Sequence, residues 1–435
     1  MNSKRLSSQV RRPFHGLKER AANRPLARAV AGTASTNVAI TLLGSAAGLL
    51  FARVLGPTDR GDLTVILQWP ATIGTFASVG ITESTCYFVA RRPIEARSIM
   101  WTATAAALLT GLVLAIGGPW MASVIGRNDQ VVEPLTWIFV LSPLYIAGGV
   151  WQKTLQATSI RSWNVSRLSQ PFVYFFGAVV LWRVGALTLV GAVVVFAASL
   201  IIQSMYLIIR SRHEVGTFSR PQMRLLGPLY GYGAKVFLTT VPRLVNWNLD
   251  LLLLSIWPGV TAANLGNYVV AVSLSSLVSP VAQAFGSIAF PRIARAHEES
   301  DRQRIERLSL IGTGVSSALI ITAVCVAAPV VVPVLLGQGY RSSIVALWIL
   351  APGAVFLAMN QTLTAILQGR GRPLVASVAE GIGAICTVLL LTLLIPHFGI
   401  NGAAAASTMA YGVTMSYLLW ERRRTRVSLI HDESR

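Results

Sequence analysis

Five polar residues recur at helical spacing in one largely apolar stretch: Lys235, Thr239, Arg243, Asn246 and Asp250, in steps of 4, 4, 3 and 4. Those steps keep all five on one helical face. At about 1.5 Å per residue the stripe runs roughly 22 Å, most of a bilayer. A charge at the centre of a spanning helix costs about 2.5–3.5 kcal/mol, so it turns toward water or toward a partner. One reading has Arg243 and Lys235 lining a wet passage where they attract an anionic substrate group, with Thr239, Asn246 and Asp250 completing its wall. The plainer reading has Arg243 and Asp250 pairing with Glu83, Glu380 or each other to fasten helices, while Lys235 snorkels to the surface. Glu83 and Glu380 are the other acids in apolar stretches; with Arg53 they are the candidate coupling groups or charge partners, although both acids lie near helix ends. Pro242, beside Arg243, can kink the helix.

The elements that must hold this stripe are membrane helices. The 435 residues are 53% hydrophobic and 12% charged, about half the charge of an ordinary soluble chain. The net charge of +20 has the size of a nucleic-acid binder, but the basic residues sit in short clusters between long apolar runs. That distribution marks membrane topology and argues against nucleic acid. Cys86, Cys325 and Cys386 lie inside apolar runs and read as small buried hydrophobes; no spacing of Cys or His suggests a disulfide, a metal site or a cofactor. No cleavable leader is evident, and residues 1–32 read as a basic cytoplasmic tail.

Uncharged runs place spans at 33–54, 63–89, 98–121, 133–155, 167–182, 184–209, 229–257, 262–290, 308–336, 343–368, 373–395 and 399–420. Tails and even-numbered loops then hold 30 Lys and Arg; odd-numbered loops hold five, Arg53, Arg60, Arg127, Arg183 and Arg341. The excess puts both termini in the cytoplasm. The longest connectors, around 210–228 and 291–307, leave no room for a soluble catalytic domain. No phosphate-binding loop is present, so ATP hydrolysis is excluded.

The halves echo each other. Ile125-Gly126, Trp137, Pro143 and Leu155-Gln156 correspond to Leu336-Gly337, Trp348, Pro352 and Leu367-Gln368, at offsets of 211, 211, 209 and 212. Gly61-Asp62 matches Gly266-Asn267 at an offset of 205. An offset spanning six helices preserves orientation, so the expected fold is an all-α membrane protein with two six-helix lobes, 33–215 and 216–421, related by a parallel repeat and followed by a tail, 422–435. Transporters built from repeats bind substrate between the halves. Along the first span Thr33, Asn37, Thr41, Gly44 and Gly48 share a face, suited either to a cavity or to close packing.

The segment Ala52-Arg53-Val54-Leu55-Gly56-Pro57, with Gly61, resembles the first-helix hallmark of bacterial polysaccharide flippases, members of the multidrug/oligosaccharidyl-lipid/polysaccharide export superfamily. Asp250, followed by Leu251 to Leu254 and then Leu265-Gly266-Asn267-Tyr268, is similar to the stretch opening that family's second half. The chain departs from the pattern at Asp62, where the family usually has an aromatic or small residue. The resemblance covers 33–420 and implies a flippase that carries a polyprenyl-pyrophosphate-linked oligosaccharide across the bacterial cytoplasmic membrane for surface polysaccharide biosynthesis. A cationic inter-lobe cavity would open alternately to each side. Implied partners are the lipid-linked oligosaccharide, membrane lipids, and polysaccharide polymerase and export machinery.

Three rivals stand beside that reading. A multidrug cation antiporter of the same superfamily would want acidic cavity residues, whereas the seventh span is more basic than acidic. A membrane polymerase or ligase generally needs a sizeable external loop. A scaffold in an envelope-assembly complex would need no transport at all.

Overall fold

The computed structural model describes residues 12–433 apart from 297, with side chains chiefly between 32 and 424. Of the two expected tails, 1–32 and 422–435, residues 1–11, 434 and 435 lie outside the described residues, and the rest is helix continuous with the first and last spans. Among the described residues all regular structure is helical.

Two of the thirteen α-helices are too long for one crossing. Helix α1 (Arg12–Ala77) turns at Gly56 (φ 76°) and the last helix, α13 (Pro373–Glu433), turns at Gly399 (φ 53°). Both angles lie in the left-handed region that favours glycine, so each long helix folds into two passes. A short helix, α2 (Ile81–Arg91), prolongs the second pass after a break at 78–80. The third is α3 (Ala96–Ile125). The fourth is a pair bent by 45°, α4 (Asp129–Val140) and α5 (Ser142–Thr158). Then come α6 (Ile160–Arg183), α7 (Leu189–Val215) and α8 (Met223–Ile256). The eighth pass joins α9 (Ala262–Ser275) to α10 (Ser279–Arg295); α11 (Glu299–Leu335) and α12 (Ser342–Gly369) precede α13. This is a twelve-pass membrane protein. Of the twelve, α6 and α8 are the passes whose composition alone falls short of a membrane span. Their polar positions are the reason: Asn164, Arg167 and Gln170 in one, Lys235 to Asp250 in the other.

Several boundaries differ from the periodicity. The fifth pass starts at Ile160, not 167, because Ser159 caps it by accepting a hydrogen bond from Ser162 N. The connector expected at 210–228 shrinks to 216–222, and most of 291–307 is helix. Charges within a turn or two of a helix end look like loop in a count of uncharged runs.

Helices α1 to α7 form one bundle and α8 to α13 a second, with α8 packed on α2 and α3 at its start and on α13 at its end. At the end bearing the short, weakly basic loops, here the far end, one continuous apolar core includes Phe51, Leu63, Ile66 and Leu135 of the first bundle with Tyr268, Leu347 and Ile395 of the second. At the basic end the core divides. Ile99, Met100, Trp151 and Leu207 cluster in the first bundle, and Ile293, Leu310, Ile366 and Leu418 in the second. Since burying apolar surface is what holds such bundles together in a dry interior, the molecule is sealed at the far end and divided at the basic end.

Candidate functional site

The polar stripe of α8 divides in two. Asn246 and Asp250 are buried and fully engaged with the second bundle. Asn246 Nδ2 donates to the Glu380 carboxylate at 2.8 Å and the Glu380 carbonyl at 3.1 Å, while Thr387 Oγ1 donates to its Oδ1 at 2.9 Å. Asp250 accepts from the Tyr268 hydroxyl at 2.6 Å, Ser407 at 3.3 Å and Leu251 N at 2.8 Å. Lys235, Thr239 and Arg243, nearer the basic end, are exposed. Among the described residues neither cation forms an ion pair; Arg243 lies 5.8 Å from the centre of the Trp247 ring and feels the charge of Glu380. Beyond Arg243, α8 is bonded to both bundles: besides the partners of Asn246 and Asp250, Asn248 accepts from Gln68 of α1 at 2.8 Å and Ser255 accepts from Trp69 at 2.9 Å.

The other candidates lie apart from the stripe. Glu83 pairs with Lys153 Nζ at 2.8 Å, on the first-bundle side. Glu380 belongs to the fastening around Asn246. Arg53 reaches across the far end to the Val334 carbonyl at 3.0 Å. The stripe on the first pass is not a close-packed seam. Thr33 and Asn37 accept from Asn164 and Arg167 of α6, and a Cβ at Gly44 would find nothing within 4 Å.

A polar cavity opens inside the first bundle. One part, about 290 Å³, is lined by Thr75, Ser78, Tyr145, Gln152, Lys153, Gln170, Gln203 and Ser204 among others. An adjoining part, about 410 Å³, shares Gln152, Gln170 and Gln203 and adds Arg167 and Tyr174. Both cations were counted with the loops in sequence, yet Lys153 lies in α5 and Arg167 two turns inside α6. Trp163, 4.6 Å from the Arg167 guanidinium, is the sequence signal that could have found it: an aromatic one turn before an arginine, both on the helix.

At the far end the bundles are clamped. The Arg127 guanidinium donates to the carbonyls of Leu254 (3.1 Å), Ser255 (2.9 Å) and Val260, capping the end of α8, where a cation suits the helix dipole. Gly61 and Gly266 let α1 and α9 touch: a Cβ on Gly61 would stand 2.0 Å from the Ala262 carbonyl oxygen, and one on Gly266 would stand 1.9 Å from that of Pro57. Beneath this contact the tip of Arg60 lies 3.8 Å from where a Cβ on Gly48 would be. Arg60 Nε and the hydroxyl of its neighbour Tyr340 are both buried without a hydrogen-bond partner.

The arrangement offers fixed cations and amides along membrane helices, few free carboxylates beside them, a closed far end and a divided basic end. It can shield a polar anion from hydrocarbon.

A family model described as "Polysaccharide biosynthesis protein" matches residues 26–297. An uncharacterized membrane protein of Methanocaldococcus jannaschii is 24% identical over 409 residues, covering 86% of this chain and 79% of that protein. A probable low-salt glycan biosynthesis flippase of Haloferax volcanii is 22% identical over 200 residues, covering 45% of this chain and 42% of the flippase. Among solved structures, the inward closed form of the lipid II flippase MurJ superposes with a TM-score of 0.75 at 12% identity, covering 90% of this chain and 87% of that one. An inward-facing multidrug resistance transporter of the MATE family superposes with a TM-score of 0.70 at 16% identity, covering 91% and 96%. These likenesses show the fold.

Proposed function

We propose, starting from the fact that the chain belongs to the polysaccharide biosynthesis protein family, that it is a flippase for a polyprenyl-pyrophosphate-linked oligosaccharide. It works in the cytoplasmic membrane, with both termini in the cytoplasm and the basic end of the bundles facing it. The polar head group enters between the bundles at that end and meets Lys235 and Arg243, while the lipid tail stays in the bilayer. Arg167 extends the cationic surface into the first bundle, where Lys153 is held by Glu83. Rocking of the two bundles, 33–215 against 216–421, breaks the far-end clamp and delivers the head group to the other leaflet. It acts as a carrier, not an enzyme.

The observation that carries this reading is the pair of exposed cations on α8 with no carboxylate paired to them among the described residues, in a helix that crosses between bundles. A pyrophosphate cannot cross hydrocarbon without partners, and charge-assisted hydrogen bonds are the strongest available. An exporter of organic cations would place free acids there instead; Glu83 and Glu380 are already engaged by Lys153 and Asn246.

In cells lacking the chromosomal copy, Arg243→Ala is expected to lower export of surface polysaccharide about tenfold or more, with lipid-linked units accumulating on the inner leaflet. Membrane levels of the variant remain those of the parent. Normal export by the Lys235→Ala/Arg243→Ala double variant removes the site, and single units reaching the surface unpolymerised point to a polymerase.

A further inference from the structure

The cavity inside the first bundle holds more polar groups than a packing role needs. Gln152 and Gln170 face it with no hydrogen bond to any described group, and Ser204, a wall residue at 2% exposure, has a hydroxyl without a partner. Gln203, also on the wall, donates from Nε2 to the Ser166 carbonyl at 2.8 Å. Gln152 and Gln170 are only half-buried, so their amides are open to whatever enters the cavity. Each amide both donates and accepts, as a sugar hydroxyl does. Tyr145 adds an aromatic wall, and Thr75, Ser78 and Thr82 add hydroxyls. The space, about 290 Å³ beside about 410 Å³, falls near the range of small-ligand sites. Its chemistry changes along its length. The three glutamines sit where the two parts meet; Arg167 belongs to one part and Lys153, paired with Glu83, to the other.

We propose that this amide-lined cavity is a sugar subsite: it receives the glycan residue next to the pyrophosphate, with Gln152, Gln170 and Ser204 bonding its hydroxyls. This deepens the flippase reading and rests on it. The neighbouring cations handle the charge common to every polyprenyl pyrophosphate, and the amides distinguish a lipid that carries sugar from one that does not. Translocation is thereby reserved for glycosylated lipid, and the bare carrier lipid is left behind.

The test uses the full chain in lipid nanodiscs and two probes, polyprenyl pyrophosphate bearing one hexose and the same lipid without sugar. Binding is read by quenching of intrinsic tryptophan fluorescence, since Trp151 and Trp163 lie in the helices that frame the cavity. The unaltered protein is expected to bind the hexose-bearing probe at least about tenfold more tightly. Gln152→Leu/Gln170→Leu removes the two free amides at similar volume and is expected to erase that preference while leaving the bare lipid's affinity within about twofold; that retained affinity also shows the variant is folded. If the double variant does not fold, Ser204→Ala alone carries the test, with an expected loss of about fivefold for the hexose-bearing probe only. Equal affinity for the two probes in the unaltered protein overturns the sugar subsite and leaves the flippase reading standing. Binding of neither probe overturns both.

Discussion

Replacing Asn246 by leucine separates the two halves of the α8 stripe. The change keeps the volume and removes three side-chain hydrogen bonds: two to Glu380, at 2.8 and 3.1 Å, and one from Thr387 at 2.9 Å. Inter-helix hydrogen bonds in membrane proteins average about 0.6 kcal/mol each and reach about 1.7, so the bonds alone amount to about 2 kcal/mol. The substitution also strands the half-buried Glu380 carboxylate and the buried Thr387 hydroxyl, which raises the loss to about 2–4 kcal/mol. The bond from the Tyr411 hydroxyl to the Asn246 carbonyl survives, because it involves only the main chain. Arg243, one turn away and exposed, has no comparable partners, and Arg243→Ala is expected to stay within about 0.5 kcal/mol of the parent.

Reversible denaturant unfolding of the purified chain in bicelles measures both variants. A double-mutant cycle with Thr387→Val then isolates one bond, with an expected coupling of about 0.6–1.7 kcal/mol. The fastening role of Asn246 is refuted if its leucine variant matches the parent, or if the cycle closes with no coupling. Loss of export at full stability would instead place Asn246 with the cargo-facing groups.

Two further perturbations bear on the ends of the molecule. Arg127→Lys is expected to loosen the far end almost as much as Arg127→Ala, since a point charge cannot span the carbonyls of Leu254, Ser255 and Val260 as the planar fork does. A cysteine placed at Ser255, after Cys86, Cys325 and Cys386 are replaced by alanine, would then react faster with an impermeant maleimide; an unchanged rate counts against the clamp. At the basic end Glu306 is fully buried between Arg370 and Arg422, with Glu299 also on Arg370 at 2.7 Å. Glu306→Gln is expected to cost about 3 kcal/mol, the lower end for a broken buried pair because Glu299 remains. A thermal shift no larger than that of Glu95→Gln, in the exposed 3.8 Å pair with Arg92, would contradict this.

The crossings themselves were legible because lipid imposes a length and a composition on every span, and the kinks fell where Gly56 and Gly399 stand. The candidate site was legible in part. Periodicity puts Lys235 through Asp250 on one face, but it cannot tell that this face is bonded to the second bundle only from Asn246 onward and is exposed before it. Arg167 and Lys153 were hidden for a different reason. A basic residue near a helix end favours the cytoplasmic side whether it lies in the loop or two turns inside, so a count by side is blind to which of the two holds. Arg127 and Arg60 were masked likewise as loop charges; only the bundle geometry gives Arg127 the α8 carbonyls and buries Arg60 Nε beside Tyr340.

The repeat is the part of the sequence whose physical meaning changes most in three dimensions. Residues related by a parallel repeat are swapped by a rotation about the membrane normal, so a matched pair can touch only if it lies near that axis. Gly61 and Gly266 are such a pair, and they touch with no room for a Cβ on either. The contact lies in the far-end seal, between α1 and α9. Their neighbours then carry equivalent duties. Asn267 holds the loop before α12, donating to the Gly339 carbonyl at 3.1 Å and accepting from Ser343 N at 3.0 Å. Asp62 lies within electrostatic reach of Arg127, in the matching loop before α4. Asp62, where the chain departs from the flippase pattern, thus sets a carboxyl near the arginine that caps α8. One position in the repeat supports a loop of its own bundle in the second half, and in the first half supports the clamp that closes the two bundles on each other.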